Sequence, residues 1–461
     1  MRSLSTIILG GGLTGLSAGY KLTKSGAGTE IFEQDSVVGG LSRTIRSNGF
    51  SFDLGGHRFF TKKPEIDALI RNLMGGELIS VPRHSKIFLR NNYFDYPLKP
   101  LNALFGMGIP TTVKIVEDYI AEKLRHLRQS PPPLSLEDWV VANFGRTMFD
   151  IYFKEYSEKV WGIDCKRISA NWVAQRITGL SLGGAIRNAF FKFSGRNIPS
   201  LVDSFSYPQL GIGRLADRLR EEIEKHNAVY TGFPIVKVKH SRSVIDSIET
   251  GSRPGSHHAS GKVFISSIPI TMLVRLLDPP APAPVLTAAS KLMFRDLVVV
   301  AVMIDRKHAT DQTWIYIPEK KIPFGRIHEP TNWSGKMAPE GKTILVAEHF
   351  SFEGDRIWNS SDEQLADITF RGLEQLGFIR RGDVLGSAVV RVKHAYPLFE
   401  IGYAEQCEVI YRYLGAFRNL LLAGRSGMFR YYNMDQAIES GLRAADSVIN
   451  NTMGVYAPQA A

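Results

Sequence analysis

The chain is poor in cysteine and has no long apolar run. Its 461 residues include only Cys165 and Cys407, which are far apart and match no C-x-x-C or metal-ligand spacing. This usage is typical of a reducing compartment and predicts two buried thiols. The longest uninterrupted apolar run, residues 297–304, covers eight residues, which is less than half of a bilayer-spanning helix. A disulfide-stabilised scaffold and an integral membrane protein are therefore excluded.

Positive charge is in excess, but no basic tract is present. The 56 Lys and Arg residues outnumber the 45 Asp and Glu residues, which gives a formal net charge of +11 at pH 7. Such a surplus favours anionic partners. Because there is no run of five Lys or Arg residues and no zinc-finger, RNA-recognition or basic-zipper pattern, nucleic acid is not a predicted partner. With few cysteines and no targeting signal, the sequence predicts a cytoplasmic globular protein of several domains.

The N-terminus has the pattern of a strand, a glycine-rich turn and a helix. An apolar run at residues 6–9 is followed by G-x-G-x-x-G, in which Gly10 permits the turn and Gly12 lets the backbone approach a pyrophosphate. Gly15 lets the helix lie close to the strand, and the helix N-terminus offers unpaired N–H groups to phosphates. The residues predicted to bind a dinucleotide at this turn are Gly10, Gly12, Leu13, Thr14 and Gly15.

An acid and a second glycine pair follow this turn. Glu33 ends the next predicted strand, residues 29–32, where a carboxylate accepts hydrogen bonds from a ribose. The glycine pair and arginine just beyond it resemble the extended fingerprint of the glutathione-reductase-like FAD superfamily, which includes amine oxidases, protoporphyrinogen oxidases, phytoene desaturases and nucleotide-sugar mutases. A plain loop with a solvated arginine is the alternative. The FAD contacts predicted in this segment are Gly40, Leu41 and Arg43.

A second FAD signature lies near the C-terminus. Residues 419–423 predict a strand, residues 424–427 a turn and residues 434–449 an amphipathic helix. The N-terminus of this helix would lie at the pyrimidine edge of the flavin, where reduced flavin carries negative charge. Both ends of the chain would thus bind FAD. The contacts predicted at the C-terminal end are Gly424, Arg425, Tyr432, Asn433 and Met434.

The order of these patterns predicts an α/β fold with a Rossmann-like FAD-binding domain built from separate pieces of chain. The predicted FAD-binding pieces are residues 1–99, 205–270 and 400–455. Residues 100–204 are predicted to form a mainly helical substrate domain. Residues 271–399 are predicted to form a mostly antiparallel sheet domain whose face covers the flavin.

Several local predictions lie between the two ends. Residues 111–128 show the periodicity of an amphipathic helix. Residues 205–215 have the composition of a loop and turn. Residues 235–239 and 263–267 are predicted strands that rejoin the nucleotide-binding sheet, and residues 250–261 between them are a predicted polar hairpin tip.

Seven separated segments combine glycine, arginine and aromatic residues. They are Gly55-Gly56-His57-Arg58-Phe59-Phe60-Thr61, Tyr96-Pro97-Leu98, Tyr156-x-x-Lys159-Val160-Trp161-Gly162, Arg176, Pro323-Phe324-Gly325-Arg326, Ala395-Tyr396-Pro397 and residues 424–435. In this order they resemble UDP-galactopyranose mutase and its nucleotide-sugar relatives. The resemblance spans nearly the whole chain.

The resemblance implies an isomerase of polysaccharide biosynthesis that acts on a nucleoside-diphosphate sugar. In this family N5 of reduced FAD attacks the anomeric carbon and the diphosphate leaves. The sugar ring then opens as an iminium and recloses on a different hydroxyl, and the diphosphate returns, so no net redox change results. An external reductant such as NAD(P)H or a flavin reductase would keep the flavin reduced. The chemistry requires groups that hold a doubly anionic leaving group, and guanidinium forks and tyrosine hydroxyls suit that task.

The resemblance also implies roles for individual residues. Arg176 and Arg326 would hold the diphosphate. Tyr396 and Tyr431 would donate hydrogen bonds to it. His57 would lie near the reactive edge of the flavin. The remaining implied contacts are Gly56, His57 and Val236 with the cofactor, and Tyr156 and Trp161 with the nucleotide.

An oxidase or desaturase of the amine-oxidase superfamily, acting on an amine, a porphyrinogen or a polyene, is the alternative, because its opening fingerprint would be the same. The sequence also departs from bacterial mutases, which often have a histidine where Phe60 stands and an acid where Asn433 stands. Both changes touch the flavin edge, so the preferred sugar and the mutase reaction itself are left open. Arg176 and Arg326 separate the two readings, because an apolar substrate gives no reason for two buried guanidinium groups.

Overall fold

The computed structural model describes residues 5–96, 108–126, 132–176, 204–252 and 255–452. A five-stranded parallel sheet, a seven-stranded and mostly antiparallel sheet, and a four-stranded sheet form its framework, with helices packed against them. This arrangement confirms the predicted α/β fold class.

The strands and helices are numbered in chain order. In the described residues the strands are β1 (Thr6–Leu9), β2 (Thr29–Glu33), β3 (Thr44–Ser47), β4 (Phe50–Asp53), β5 (Leu78–Pro82), β6 (Ser85–Leu89), β7 (Asn92–Asp95), β8 (Ser204–Pro208), β9 (Ala228–Thr231), β10 (Ile235–Ser241), β11 (Val244–Ser252), β12 (Gly255–Ser260), β13 (Val263–Ser266), β14 (Leu277–Asp278), β15 (Phe294–Ile304), β16 (Trp314–Tyr316), β17 (Arg326–His328), β18 (Thr343–Ser351), β19 (Val384–Pro397) and β20 (Leu420–Leu422). The α-helices are α1 (Leu13–Lys24), α2 (Pro64–Met74), α3 (Ile109–His126), α4 (Leu136–Phe144), α5 (Arg146–Met148), α6 (Lys154–Trp161), α7 (Ala170–Arg176), α8 (Gly213–Glu224), α9 (Ile270–Leu276), α10 (Ala283–Lys291), α11 (Arg356–Asn359), α12 (Asp362–Gln375), α13 (Tyr403–Leu414), α14 (Gly424–Gly427) and α15 (Met434–Ile449).

The parallel sheet has the order β20-β13-β1-β2-β9, with β1 at its centre. β1 is buried along its whole length, as expected of a parallel strand that is covered on both faces. The chain turns at Gly10, where φ is +102°, and then enters α1. A Cβ on Gly15 would lie 2.0 Å from the Gly10 carbonyl oxygen, so only glycine lets α1 lie this close to the turn. The predicted strand, turn and helix are confirmed.

The C-terminal helix α15 packs directly on α1. A Cβ on Gly441 would lie 2.1 Å from the carbonyl oxygen of Thr14, so the two helix backbones approach closely there. The hydroxyls of Thr14 and Ser17 donate to the carbonyl oxygens of Ala437 and Ile438, each at 3.1 Å. The two ends of the chain therefore lie side by side.

The seven-stranded sheet has the order β19-β15-β18-β17-β16-β6-β7. Its strands pair antiparallel, except for the parallel pair of β16 and β6. One face packs its apolar residues against α12, and part of the opposite face packs against β4. No strand was predicted for residues 85–95, yet β6 and β7 complete this sheet. The sheet is therefore built from two distant parts of the chain.

Two local predictions were wrong. Residues 235–239 lie in β10, which joins a separate sheet of order β12-β11-β10-β14 instead of the nucleotide-binding sheet. The physical reason is that β9, which was not predicted, occupies the open edge beside β2. Residues 205–208 belong to β8 and pair antiparallel with β5 instead of forming a loop, because Phe205 and Tyr207 are buried there. β13, in contrast, joins the parallel sheet as predicted.

The helix predicted at residues 111–128 is present as α3, but its orientation is unexpected. It buries Ile115, whereas Val113, Ile120 and Leu124 are exposed, so much of the predicted apolar stripe points away from the described protein. Residues 127–131 and 177–203 lie outside the described residues. Among the helices that the structure describes, none has the length and apolar composition needed to cross a membrane.

We predict that Gly441→Ala destabilises the protein and weakens retention of the cofactor. The added methyl group would collide with the α1 backbone, and overpacking of this kind costs roughly 1–3 kcal/mol. The denaturation midpoint and the bound flavin per chain would both fall relative to the wild type. Gly76→Ala is the matched control, because a Cβ at Gly76 meets no atom within 4 Å. Equal losses in the two variants would contradict the close α1–α15 contact.

Candidate active site

The first part of the site is the turn between β1 and α1. The N–H groups of Gly11 and Asp35 donate to the two carboxylate oxygens of Glu33, at 2.7 and 2.9 Å. Burial raises the pKa of Glu33, and these two N–H groups and the charge of Arg43 oppose the shift. A Cβ on Gly12 would meet no atom within 4 Å, and α1 begins there without a side-chain cap. The turn thus presents uncapped helix N–H groups beside an anchored carboxyl group.

A second glycine turn packs against the first. Gly39 forms a β-bridge with Gly12, and a Cβ on Gly40 would lie 3.3 Å from the α-carbon of Gly12. Arg43 Nη1 donates to Asp35 Oδ2 at 2.7 Å, while its buried Nε has no hydrogen-bond partner among the described residues. The backbone of both turns is therefore open to a ligand, with a guanidinium group nearby.

The C-terminal turn reaches the same place. A Cβ on Gly424, where φ is +80°, would lie 2.5 Å from Thr14 Oγ1. At the start of α15, the N–H of Asn433 donates to Gln436 Oε1 at 3.0 Å. Arg425 follows the glycine, and its buried Nε and Nη2 have no partner within the described part of the chain. This turn adds a second guanidinium group with unused donors.

One face of the seven-stranded sheet carries a row of polar and charged side chains that belongs to the site. Cross-strand pairing places Tyr316 beside Arg326 and Arg326 beside Glu348, so the three side chains lie in one row on one face. Arg326 Nη2 lies 2.7 Å from Glu348 Oε2 and donates to the Tyr396 hydroxyl at 2.6 Å. The buried Nε of Arg326 has no partner in the chain as described.

Arg326 is a buried cation whose charge is held by its surroundings. Burial alone would lower the pKa of its guanidinium group, but the Glu348 carboxylate and the neighbouring phenols raise it well above its usual value. The group also lies over the rings of Phe350 and Tyr396, 4.7 and 5.7 Å from their centroids. Burial raises the pKa of Glu348, whose Oε1 accepts a hydrogen bond from the Gly56 N–H at 3.3 Å. Arg326, whose side chain is 14% exposed, therefore stays charged although most of it is withdrawn from solvent.

Tyr396 and Tyr431 connect Arg326 to the C-terminal turn. Their rings stack with centroids 6.2 Å apart, and Arg425 lies over both rings, 4.8 and 4.6 Å from the centroids. Trp161, at the end of α6, makes edge contacts with both tyrosines, at 6.3 and 6.4 Å. Burial raises the pKa of Tyr396, so its hydroxyl is a neutral donor at pH 7. Residues that are far apart in the sequence thus form one cluster.

α6 carries the other predicted aromatic residue, Tyr156. Its ring meets Tyr316 edge-on with centroids 5.7 Å apart, so it lies beside the row on the sheet. Burial raises the pKa of Tyr156. Arg295 holds the end of α6, because its Nε donates to the Val160 carbonyl oxygen at 3.0 Å. Lys159 Nζ donates to two carbonyl oxygens of the segment after β16, at 2.9 and 2.8 Å. These bonds fix α6 against the sheet.

His57 follows the glycine pair that contacts Glu348. Its Nδ1 lies 3.1 Å from the Gly55 carbonyl oxygen. Burial lowers the pKa of His57 to about 4, and the positive charges of Arg425 and Arg326 add to the effect. The imidazole is therefore neutral at pH 7.

Four predicted residues lie at the margin of this cluster or beyond it. Val236, in β10, is 49% exposed. Just before β10, the backbone N–H of Phe233 donates to the Glu33 carbonyl oxygen at 2.8 Å, so this segment still lies next to Glu33. Leu41 and Tyr432 are half-buried. Leu41 packs on the hydrophobic cluster that contains Phe52, and Tyr432 packs on the one that contains Phe429. Arg176 is the last residue of α7, and its side chain lies outside what the structure describes.

Glu348 and Trp314 belong to the site but were not predicted. Glu348 interrupts the otherwise apolar start of β18, T-I-L-V-A-E, and a lone acid in such a strand was the available signal. A Cβ on Gly56 would lie 1.0 Å from Trp314 Cζ3, so the tryptophan ring requires glycine at that position. No local pattern indicated this contact, because Trp314 lies far along the chain.

Comparisons with known proteins agree with this geometry. The family model described as flavin containing amine oxidoreductase matches residues 13–449. Protoporphyrinogen oxidase 2 of Arabidopsis thaliana is 22% identical, over 96% of this chain and 93% of its own. Coproporphyrinogen III oxidase of Mycobacterium leprae is 25% identical, over 88% and 90%. A crystal structure of reduced UDP-galactopyranose mutase matches with a TM-score of 0.84 at 23% identity, over 98% of each chain, which shows a shared fold.

FAD is the cofactor, since the matched family contains flavin. The residues present fit it. The open backbone at Gly12 and the uncapped start of α1 suit a pyrophosphate, and the Glu33 carboxylate suits a ribose. The unpartnered donors of Arg43 and Arg425 suit further anionic or carbonyl oxygens.

We predict that the stability of the FAD-loaded protein falls as the pH is lowered from 7.5 to 5. Burial lowers the pKa of His57 to about 4 and that of His328 and His349 to about 3 each. Above about pH 6.5, the usual pKa of histidine in an unfolded chain, these histidines are neutral in both states and contribute their full stability. Below that pH the unfolded chain takes up protons, and the free energy of unfolding falls by at most about 1.4 kcal/mol per pH unit for each histidine. Burial also lowers the pKa of His394, which adds to this trend. Burial raises the pKa of Asp53 to about 6 and raises that of Glu33, Asp217, Asp296 and Glu348, and protonation of these carboxyl groups offsets part of the loss.

The free energy of unfolding, measured by urea denaturation at several pH values, checks this trend. His349→Gln should give a shallower dependence, because His349 lies buried beside Thr369, 2.9 Å from its hydroxyl, and is one of these histidines. An unfolding free energy that does not change between pH 7.5 and 5 in the wild type would rule out the expected effect.

Proposed function

Because the chain belongs to the family of flavin-containing amine oxidoreductases, we propose that it is a flavin-dependent nucleotide-sugar pyranose/furanose mutase similar to UDP-galactopyranose mutase. The observation that carries this proposal is the buried Arg326, with Tyr396, Tyr431 and Arg425 around it. An apolar substrate gives no reason to bury a guanidinium group with unused donors. A diphosphate does, because its oxygens accept bidentate, charge-assisted hydrogen bonds.

The unused donors define where the diphosphate would bind. Nε of Arg326, and Nε and Nη2 of Arg425, are buried and have no hydrogen-bond partner among the described residues. Each such group costs about 1–3 kcal/mol when left unsatisfied. We assign the diphosphate to Arg326, with Arg176 as its second cation on the basis of the resemblance. Tyr396 and Tyr431 would donate to the same oxygens without adding charge.

Reduced FAD would supply a nucleophilic N5 for the anomeric carbon. The protein would hold the cofactor through the glycine turns, Glu33 and Arg43, and through the start of α15. His57, neutral at pH 7, would border the reactive edge without adding a third positive charge. The remaining cofactor contacts in this proposal are Gly10, Gly12, Leu13, Thr14, Gly15, Gly40, Leu41, Gly56, Val236, Gly424, Tyr432, Asn433 and Met434. Arg425 would contact both the flavin and the substrate diphosphate.

The remaining parts of the proposal concern the surroundings of this site. Tyr156 and Trp161 would form the wall near the nucleotide. We assign FAD binding to residues 1–99, 205–270 and 400–455, except for β6 and β7, which belong to the seven-stranded sheet. We assign substrate binding to residues 100–204 and 271–399 together with these two strands. NAD(P)H or a flavin reductase would supply electrons in the cytoplasm.

The second candidate is an oxidase, because the curated relatives are named protoporphyrinogen and coproporphyrinogen oxidases. An amine substrate is disfavoured, since Arg326 and Arg425 would repel an ammonium group. A polyene is disfavoured, since it cannot use the buried donors. A porphyrinogen has carboxylates that could bind arginine, so this is the oxidase substrate to test against the mutase reaction.

We predict that the dithionite-reduced protein interconverts the pyranose and furanose forms of a UDP- or dTDP-hexose, whereas the oxidised protein does not. The reaction needs an electron-rich flavin but consumes no electrons. Chromatography of a panel of such sugars, incubated with each redox form, measures it. The absence of turnover across the panel with fully reduced flavin, together with oxygen consumption on a porphyrinogen, would favour the oxidase.

We predict that Arg326→Lys lowers kcat/KM roughly 10- to 100-fold, because lysine keeps a charge for Glu348 but lacks the bidentate fork. The flavin content and thermal midpoint should stay near those of the wild type, since the ion pair is retained. Arg412→Lys, on the exposed side of α13, is the control and should leave turnover unchanged. Wild-type turnover in Arg326→Lys would count against a diphosphate at this guanidinium.

A further inference from the structure

Arg58 is a cation beside the active site for which no role has been assigned so far. It follows His57 directly, and its side chain is half-buried. Its guanidinium group lies over the Trp314 ring at 5.1 Å and over the Phe205 ring at 5.6 Å from the centroids. Its one hydrogen bond found in the described residues is a long one, 3.5 Å to the hydroxyl of Ser85. Most of its donors are therefore available.

The register of the seven-stranded sheet places Arg58 over the same face as Arg326. Ser85 pairs with Trp314, and Tyr316 pairs with Arg326. Cross-strand partners, and residues two apart on one strand, project from the same face of a sheet. Ser85, Trp314, Tyr316 and Arg326 are therefore neighbours on the face that Arg58 touches. Arg326 also lies over Trp314, 5.4 Å from its centroid. The two guanidinium groups thus share one aromatic platform.

The charges around this platform do not balance. Arg326 is paired with Glu348, whereas Arg58 and Arg425 have no carboxylate within ion-pair distance among the described residues. The nearby imidazole of His57 is neutral at pH 7, because burial lowers its pKa to about 4. These groups together have a net charge of +2. Charges that are partly withdrawn from water normally have a counter-charge, and the uncharged isoalloxazine of oxidised FAD would supply none, so the site matches a ligand with two negative charges.

We propose that Arg58 is a substrate-binding residue that contacts the diphosphate of a nucleoside-diphosphate sugar from the side opposite Arg425. This inference rests on the proposed function, which it deepens by naming a further guanidinium group for the leaving group. Arg58 and Arg326 bind from the sheet side, and Arg425 binds from the C-terminal turn. A diphosphate between them would neutralise both unpaired charges and fill donors that the protein leaves unused.

Titration of the oxidised, FAD-loaded protein with UDP, followed by calorimetry, tests the proposal without relying on turnover. For Arg58→Gln we expect the Kd for UDP to rise at least about 10-fold, because a charge-assisted fork is lost. Arg58→Lys should lie between Arg58→Gln and the wild type, because it keeps the charge without the fork. Arg412→Gln, which removes an exposed arginine of α13, should bind UDP as the wild type does. Added salt should weaken UDP binding less in Arg58→Gln than in the wild type.

Flavin content and thermal midpoint are measured for each variant, and Arg58→Lys decides the test if Arg58→Gln loses FAD. An unchanged Kd for UDP in both Arg58 variants would overturn the inference even if the wild type is an active mutase. UDP binding that depends on Arg58 would support it even if no sugar is converted, in which case only the proposed reaction fails. Binding of coproporphyrin instead of UDP, again dependent on Arg58, would overturn the diphosphate and the mutase together.

Discussion

The buried pair of Arg326 and Glu348 is the interaction on which the rest of the site depends. Neither charge is stable alone in a dry sheet interior, and removing one partner of such a pair costs several kcal/mol. The pair is stable because adjacent strands hold its members in register. In addition, the Tyr396 hydroxyl accepts a hydrogen bond from Arg326, and the Gly56 N–H donates one to Glu348. Arg326 is therefore held charged at one position on the sheet face, and its Nε has no hydrogen-bond partner among the described residues.

The segment that contains His57 is joined to the seven-stranded sheet by close contacts that require glycine at position 56. Gly56 lies against the Trp314 ring and donates to Glu348, so the segment that places His57 is fixed by residues from β16 and β18. Arg425 reaches over Tyr396 and Tyr431 from the opposite direction. Arg326 and Arg425 thus both contact Tyr396, at the point where the C-terminal turn meets the seven-stranded sheet.

The sequence predicted the parts of this structure that are encoded locally. The strand, turn and helix around Gly10 and the final helix α15 were found because glycine spacing and helical periodicity are properties of a short segment. β10 was placed in the wrong sheet and β8 was missed, because pairing partners are a long-range property. Glu348 and Trp314 could not be assigned to the site before strand register was known. The exposed stripe of α3 shows that periodicity identifies a helix without identifying what it faces.

The contact between α1 and α15 bears on how the holoprotein is assembled. The turn after β1 and the helix that supports it are distant in the sequence, since the contacting residues Thr14 and Ala437 are 423 positions apart. A nascent chain on the ribosome therefore contains the glycine turn after β1 long before α15 has been synthesised. The contacts that hold Thr14 and Ser17 therefore form only in a polypeptide synthesised through α15, and a shorter polypeptide lacks them.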